Sequence, residues 1–151
     1  MNTDLQAVAD EQAIINLASR YCWALDSHDF DDLHNVFLPD AFAVLGETDC
    51  DGIDAIIQRI SSALTRLDAS QHLVGSHVVT LDGDEATHKC YLQAQHVLHG
   101  TEGGDLWMVA GKYEDLMVRT ADGWRIKRRV LSRIWTSGNA NVAAPDLRPK
   151  S

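Results

Sequence analysis

Basic residues are scarce in this chain. Lys and Arg number 13 against 22 Asp and Glu, a formal net charge of −9. Nucleic acids and anionic membranes are bound through clusters of Lys and Arg, so neither is expected as a partner. The three cysteines, Cys22, Cys50 and Cys90, lie far apart with no CxxC pair. That count and spacing exclude a disulfide framework and a cysteine-based zinc site, and point to a reducing, cytoplasmic setting. No apolar run is long enough to span a bilayer. The first residues lack the basic start and apolar stretch of a signal peptide. GxGxxG, GxxxxGK and HExxH are all missing, so no nucleotide, cofactor or metal is expected. Internal repeats, low-complexity blocks and linkers are missing too.

What is present suits one domain with one core: 151 residues, 45% of them apolar. Residues 4–27 read as a helix, with Ile14, Leu17/Ala18, Tyr21/Cys22 and Leu25 recurring at helical spacing and Asp10 and Glu11 placed for its N-terminal part. Residues 29–37 read as a second, short helix ended by Pro39, and 41–45 as a short strand. A third helix starts at Gly52, with the stripe Ile53, Ile56, Ile57, Ile60, Leu64 and Leu67. The period then changes from helical to alternating. Strands are expected over 72–81, 86–98, 106–119 and 124–136, separated by the turns at 82–84, 100–104 and 121–123. Strands joined in series by tight turns make an antiparallel meander. From Ser137 the chain turns to Gly, Asn, Ala and Pro, so 1–136 form the expected domain and 137–151 a loose C-terminal tail. The expected class is α+β: a strongly bent sheet packed on helices, with an apolar pocket between the two layers.

A few polar residues fall where burial is expected. Asp26 lies one turn after Cys22, at the edge of the apolar face of the first helix. A buried carboxylate needs a partner, and His72, in Ser70-Gln-His72, is the natural one. A carboxylate on one imidazole nitrogen would leave the other as a competent base. The plain alternative is a solvated helix end and an ordinary strand histidine. Tyr21 could donate to a leaving oxygen or serve as a core aromatic. Alternation puts Cys90, Leu92, Ala94 and His96 on one face, so His96 sits either in the pocket or on its rim. One of Arg128 and Arg129 must point inward, unless both belong to a solvated edge of charge. Lys112 is a lesser candidate. The remaining histidines show no ligand spacing, and Trp23, Trp107, Trp135 and Met108 read as core or pocket wall.

The Tyr-x4-Asp ending the first helix, the His opening the first long strand and the Gly-Trp-Arg-Ile start of the last strand resemble the SnoaL-like group of the nuclear transport factor 2-like superfold. The resemblance covers roughly residues 8–136. It implies a cone-shaped α+β barrel, in which a curved antiparallel sheet is closed by three N-terminal helices. Members it resembles include hexachlorocyclohexane dehydrochlorinase, scytalone dehydratase and bile-acid 7α-dehydratase. It therefore implies a cofactor-independent lyase of dehydratase type acting on a small, mostly apolar cyclic substrate. An Asp26–His72 dyad would remove a proton from carbon, with Tyr21, His96 and Arg129 at the leaving group or a carbonyl. An isomerase would use the same groups. The superfold also hosts non-catalytic binding modules and oxygenase β subunits. It commonly assembles, so a homodimer or homotrimer is expected.

Overall fold

The computed structural model describes residues 3–144. Helix α1 spans Thr3–Asp26 and buries the predicted stripe, from Ile14 through Leu17, Ala18, Tyr21, Cys22 and Leu25. Asp10 lies inside this helix rather than at its start. It accepts from Arg119 at 2.7 and 2.8 Å and from the Trp124 indole at 3.1 Å, pinning the helix to the far end of the sheet. The expected second helix is a single 3-10 segment, Phe30–Asn35. Strand β1 follows at once, Phe37–Leu45, and hairpins with a short β2, Thr48–Asp51. Pro39 therefore sits in a strand, not at a helix end. Its place is the irregular stretch between Phe37 and Phe42, where no pairing with a neighbour needs its missing N–H. Helix α2 is Ile53–Leu64.

The long strands are β3 (Ala69–Asp82), β4 (Glu85–Val97), β5 (Leu106–Thr120) and β6 (Gly123–Gly138). They form the expected antiparallel meander, but the sheet has six strands, in the order β2-β1-β6-β5-β4-β3. The N-terminal β1 adds parallel to the last strand, β6. Hydrophobic patterning marked β1 only in part, because long-range pairing, not local sequence, completes it. The sheet is curved and unclosed, with β2 and β3 as its edges, where a closed barrel was expected. Two α-helices and the 3-10 segment line its inner side. No helix among the described residues is long and apolar enough to cross a membrane.

Three β-bulges bend the sheet and reset which residues face inward. One lies between Gly75 and Val78 in β3, where Ser76 has φ 56°. The other two lie in β6, around Lys127 and Ile134. At the latter, Gly111 on β5 lies so close to β6 that a Cβ there would sit 2.4 Å from the Ser132 carbonyl oxygen. Between sheet and helices lies one core, centred on the fully buried Ile14, Leu33, Val36, Phe37, Ile56, Met117 and Ile126. The expected loose tail is packed as far as it is described. Val142 and Ala143 are buried, and Arg66 donates to the Val142 carbonyl at 2.6 Å. The rest of that segment, 145–151, lies outside the described residues.

Candidate active site

β3 is an edge strand, so every second backbone N–H on its outer margin lacks a partner within the sheet. Helix α1 packs beside it and delivers Asp26, its last residue, to that margin. One carboxylate oxygen of Asp26 accepts the His72 backbone N–H at 2.8 Å. The other accepts the Ser70 hydroxyl at 2.9 Å and meets the His72 ring at Nδ1, 2.6 Å away. A carboxylate only accepts, so the Nδ1 proton points at Asp26 and Nε2 carries the free lone pair. Burial by itself would raise the Asp26 carboxyl. The hydrogen bonds from the His72 ring, the His72 backbone and Ser70 outweigh it and hold the group below the ordinary carboxylate range.

His72 lines a cavity between the sheet and α2, along with Tyr21, His96, Trp107, Arg59 and Arg133. The cavity opens to solvent, has a volume of about 90 Å³ and is otherwise walled by Tyr113, Gly46 and Leu, Ile, Val and Ala side chains. The His72 and His96 rings meet edge to face, with centroids 6.0 Å apart. His96 Nδ1 lies 3.1 Å from the Trp107 carbonyl oxygen, which can only accept, so the proton is on Nδ1 and Nε2 is an acceptor. Burial, reinforced by the charge of His72, lowers the His96 pKa to about 4. At neutral pH His96 is thus an uncharged ring that accepts hydrogen bonds through Nε2. Tyr21 is 2% exposed, and burial raises its pKa, so its phenol keeps its proton.

Arg129 points inward but does not line the cavity. Its guanidinium is clamped by Asp115 at 2.7 and 2.8 Å, and lies 4.4 Å from the Tyr21 ring centroid and 4.0 Å from that of Tyr113. Asp115 also meets His88 Nδ1 at 2.8 Å, and His88 Nε2 meets His77 Nδ1 at 2.9 Å. Arg129 thus belongs to a buried polar network behind the tyrosines. Removing one partner of such a pair costs about 3–5 kcal/mol. Lys112 points to the outer face beside Glu114, 3.5 Å away. Trp107 is a cavity wall, whereas Trp23 and Trp135 are exposed.

Asp26, His72, Tyr21 and His96 are therefore brought to one place. Ser70, Tyr113, Arg59 and Arg133 were not singled out from sequence. Tyr113 and Asp115 share the inward face of β5 with Met117, an alternation that marks them once the strand is placed. Arg59 carries no such signal, since it interrupts an apolar helix face. Three ligand-type atoms, on His77, His88 and Cys90, lie within 4.8 Å of one another. They are the residues among those described that could hold a metal. Two of them already share a hydrogen bond, and burial raises the Cys90 thiol to about 11.

A curved sheet folded over helices around a mostly apolar cavity lined by two imidazoles and two phenols, with an acid hydrogen-bonded to one imidazole, defines an α+β pocket protein. The SnoaL-like domain family matches residues 6–130, and the chain belongs to that family. An uncharacterized protein of Mycobacterium tuberculosis is 36% identical over 130 residues, covering 82% of this chain and 84% of its own. The crystal structure of the Kfla4162 protein from Kribbella flavida superposes with a TM-score of 0.80 at 28% identity, over 87% of this chain and 95% of that one. The type 2 hexachlorocyclohexane dehydrochlorinase shares the fold, with a TM-score of 0.80 at 17% identity, over 91% and 94% of the two chains.

Proposed function

We propose that the protein is a cofactor-independent lyase that catalyses β-elimination, loss of water in the first instance, from a small cyclic substrate. The observation that carries this reading is the 2.6 Å contact from Asp26 to His72 Nδ1, beside a cavity that His72 lines. His72 Nε2 takes a proton from the carbon next to a carbonyl, and the C–H electron pair becomes the new C=C bond. The C–O bond to the β-hydroxyl breaks. Tyr21, a protonated donor, hydrogen-bonds the departing oxygen, which leaves as water with the proton returned from His72. Asp26 stabilises the imidazolium formed in between. His96 Nε2 accepts from a substrate hydroxyl. Arg129 positions Tyr21 through the stacked contact rather than touching substrate.

The cavity volume favours one or two rings over a steroid. At about 90 Å³ it is smaller than the ~150 Å³ apolar cavity that takes up benzene, so a larger body must extend through the mouth. The fold shared with a dehydrochlorinase supports elimination as the reaction class, since that chemistry needs a base and a leaving-group site but no cofactor. The test is turnover of a panel of cyclic β-hydroxy ketones and chlorinated cyclohexanes by wild type and His72→Ala. Elimination lost in the variant, with its circular dichroism unchanged, is the expected result. A substrate turned over at near wild-type rate by His72→Ala would sink the mechanism.

A further inference from the structure

Sequence spacing carries no sign of a metal centre, and no pair of cysteines is near enough to build one. The register of β3 on β4 brings a mixed ligand set together all the same. Gly75 pairs with Tyr91 and Val78 with Lys89, so Ser76 and His77 stand together opposite the single residue Cys90. Ser76 takes up the extra residue at φ 56°, a conformation uncommon outside glycine. A bulge of this kind re-aims the side chain beside it. Here it turns His77 inward, onto His88, which shares the inner face of β4 with Cys90. One ligand atom from each of His77, His88 and Cys90 lies within 4.8 Å of the other two. None of the three lines the cavity that His72 lines.

The groups behind this cluster are those a metal-bound histidine needs. Asp115 can only accept, so His88 carries its proton on Nδ1, 2.8 Å away, and turns the lone pair of Nε2 toward His77. Metal-ligating histidines show this same bond to a carboxylate, which fixes the tautomer and raises the basicity of the ligand nitrogen. Arg129 holds both Asp115 oxygens, so the carboxylate cannot swing away. His77 Nδ1 donates to His88 Nε2 at 2.9 Å, with the two rings only 19° from parallel. Two nitrogens on one tetrahedral ion, each about 2.0–2.1 Å from it, stand roughly 3.3 Å apart. Opening the pair by a few tenths of an ångström would let an ion take the place of the shared proton. His88 and Cys90 are each 3% exposed, whereas His77 is half-buried and leaves a way in from solvent.

We propose that His77, His88 and Cys90 form a binding site for a zinc-like divalent ion, apart from the catalytic cavity. Two imidazoles and a thiolate suit zinc or cobalt and not magnesium or calcium, which prefer oxygen ligands. On binding, the Cys90 thiol gives its proton to solvent, and the His77 proton moves from Nδ1 to Nε2. The fourth position is left to water on the His77 side. The ion ties the bulge of edge strand β3 to β4, five residues from His72, and takes no part in the elimination. The test is titration of the chelator-treated full-length protein with Co²⁺, followed by absorption. Wild type should bind one ion per chain, with the intense visible bands of a four-coordinate site and a thiolate-to-cobalt charge-transfer band. Zn²⁺ should bleach both. Cys90→Ser should abolish the charge-transfer band, while Cys22→Ser and Cys50→Ser keep it. His77→Gln, at a half-buried position that folding tolerates, should weaken binding by at least about tenfold. His72→Ala should bind as wild type does, which separates this site from the catalytic pair. Cobalt bound without a thiolate band, a band that survives Cys90→Ser, or wild-type affinity in His77→Gln would each overturn the proposal.

Discussion

Asp26→Asn is the substitution that probes the site most directly, because each Asp26 oxygen has defined partners. One accepts the His72 backbone N–H at 2.8 Å; the other accepts from Ser70 at 2.9 Å and meets His72 Nδ1 at 2.6 Å. An asparagine has one oxygen and one NH2 to place in these two positions. With its oxygen toward the ring, the NH2 faces the backbone N–H of His72, and a donor left unpaired in a part-buried site costs about 1–3 kcal/mol. With its oxygen toward the backbone, the NH2 faces Nδ1, and the ring must move its proton to Nε2. The second arrangement satisfies both groups and should prevail. It leaves His72 with no lone pair toward the cavity. A wrongly held tautomer costs on the order of 10⁴-fold in kcat in a His–Asp hydrolase, and a loss of two to four orders is expected here. Asp26→Asn combined with His72→Ala should be little worse than His72→Ala alone, since the two residues act as a unit. The tautomer can be read without a substrate. Long-range proton–nitrogen correlation should find the proton of neutral His72 on Nδ1 in wild type and on Nε2 in the variant. Nε2 protonated in wild type, or an Nδ1 proton retained in the variant alongside a lost rate, would refute this reasoning.

Three further outcomes are expected. Gly111→Ala forces a Cβ to within 2.4 Å of the Ser132 carbonyl oxygen, so it should destabilise by at least about 1–3 kcal/mol in urea denaturation, the usual cost of overpacking; an unchanged midpoint would contradict the close strand approach. The hydrogen bonds from Arg119 hold the Asp10 carboxyl well below its ordinary range. Such a group stabilises fully above its unfolded value of about 3.9 and loses that contribution as pH falls through the folded value. The stability gap between wild type and Asp10→Asn should therefore be widest near neutrality and narrow as the pH is taken below about 4, and a gap independent of pH would be the wrong result. We also propose that the outer sheet face, with Leu73, Tyr91, Leu106, Leu116 and Ile134 each at least 45% exposed, is covered in a homodimer or homotrimer. Light scattering at micromolar concentration tests this, and a monomer would count against it.

Helical spacing in α1 was enough to place Tyr21 and Asp26 on the sheet-facing side, because α1 is long and its stripe is regular. The alternation of β4 put His96 among Cys90, Leu92 and Ala94, and β4 has no bulge to disturb that count. The four long strands and their order were legible for a similar reason: tight turns leave a meander little choice of neighbour. What the sequence left open lies where pairing is long-range or where a bulge breaks the period. β1 finds β6 across most of the chain, a contact no local pattern encodes, and so the six-stranded sheet was not foreseen. From Trp124 and Ile126, simple alternation leads to Arg128 as the inward residue. One inserted residue at Lys127 turns Arg129 inward and carries Leu131 and Arg133 with it. The bulge after Gly75 likewise turns His77 toward His88. A bulge follows from how two strands curve against each other, so the final aim of these cationic and imidazole groups was settled by the tertiary structure alone.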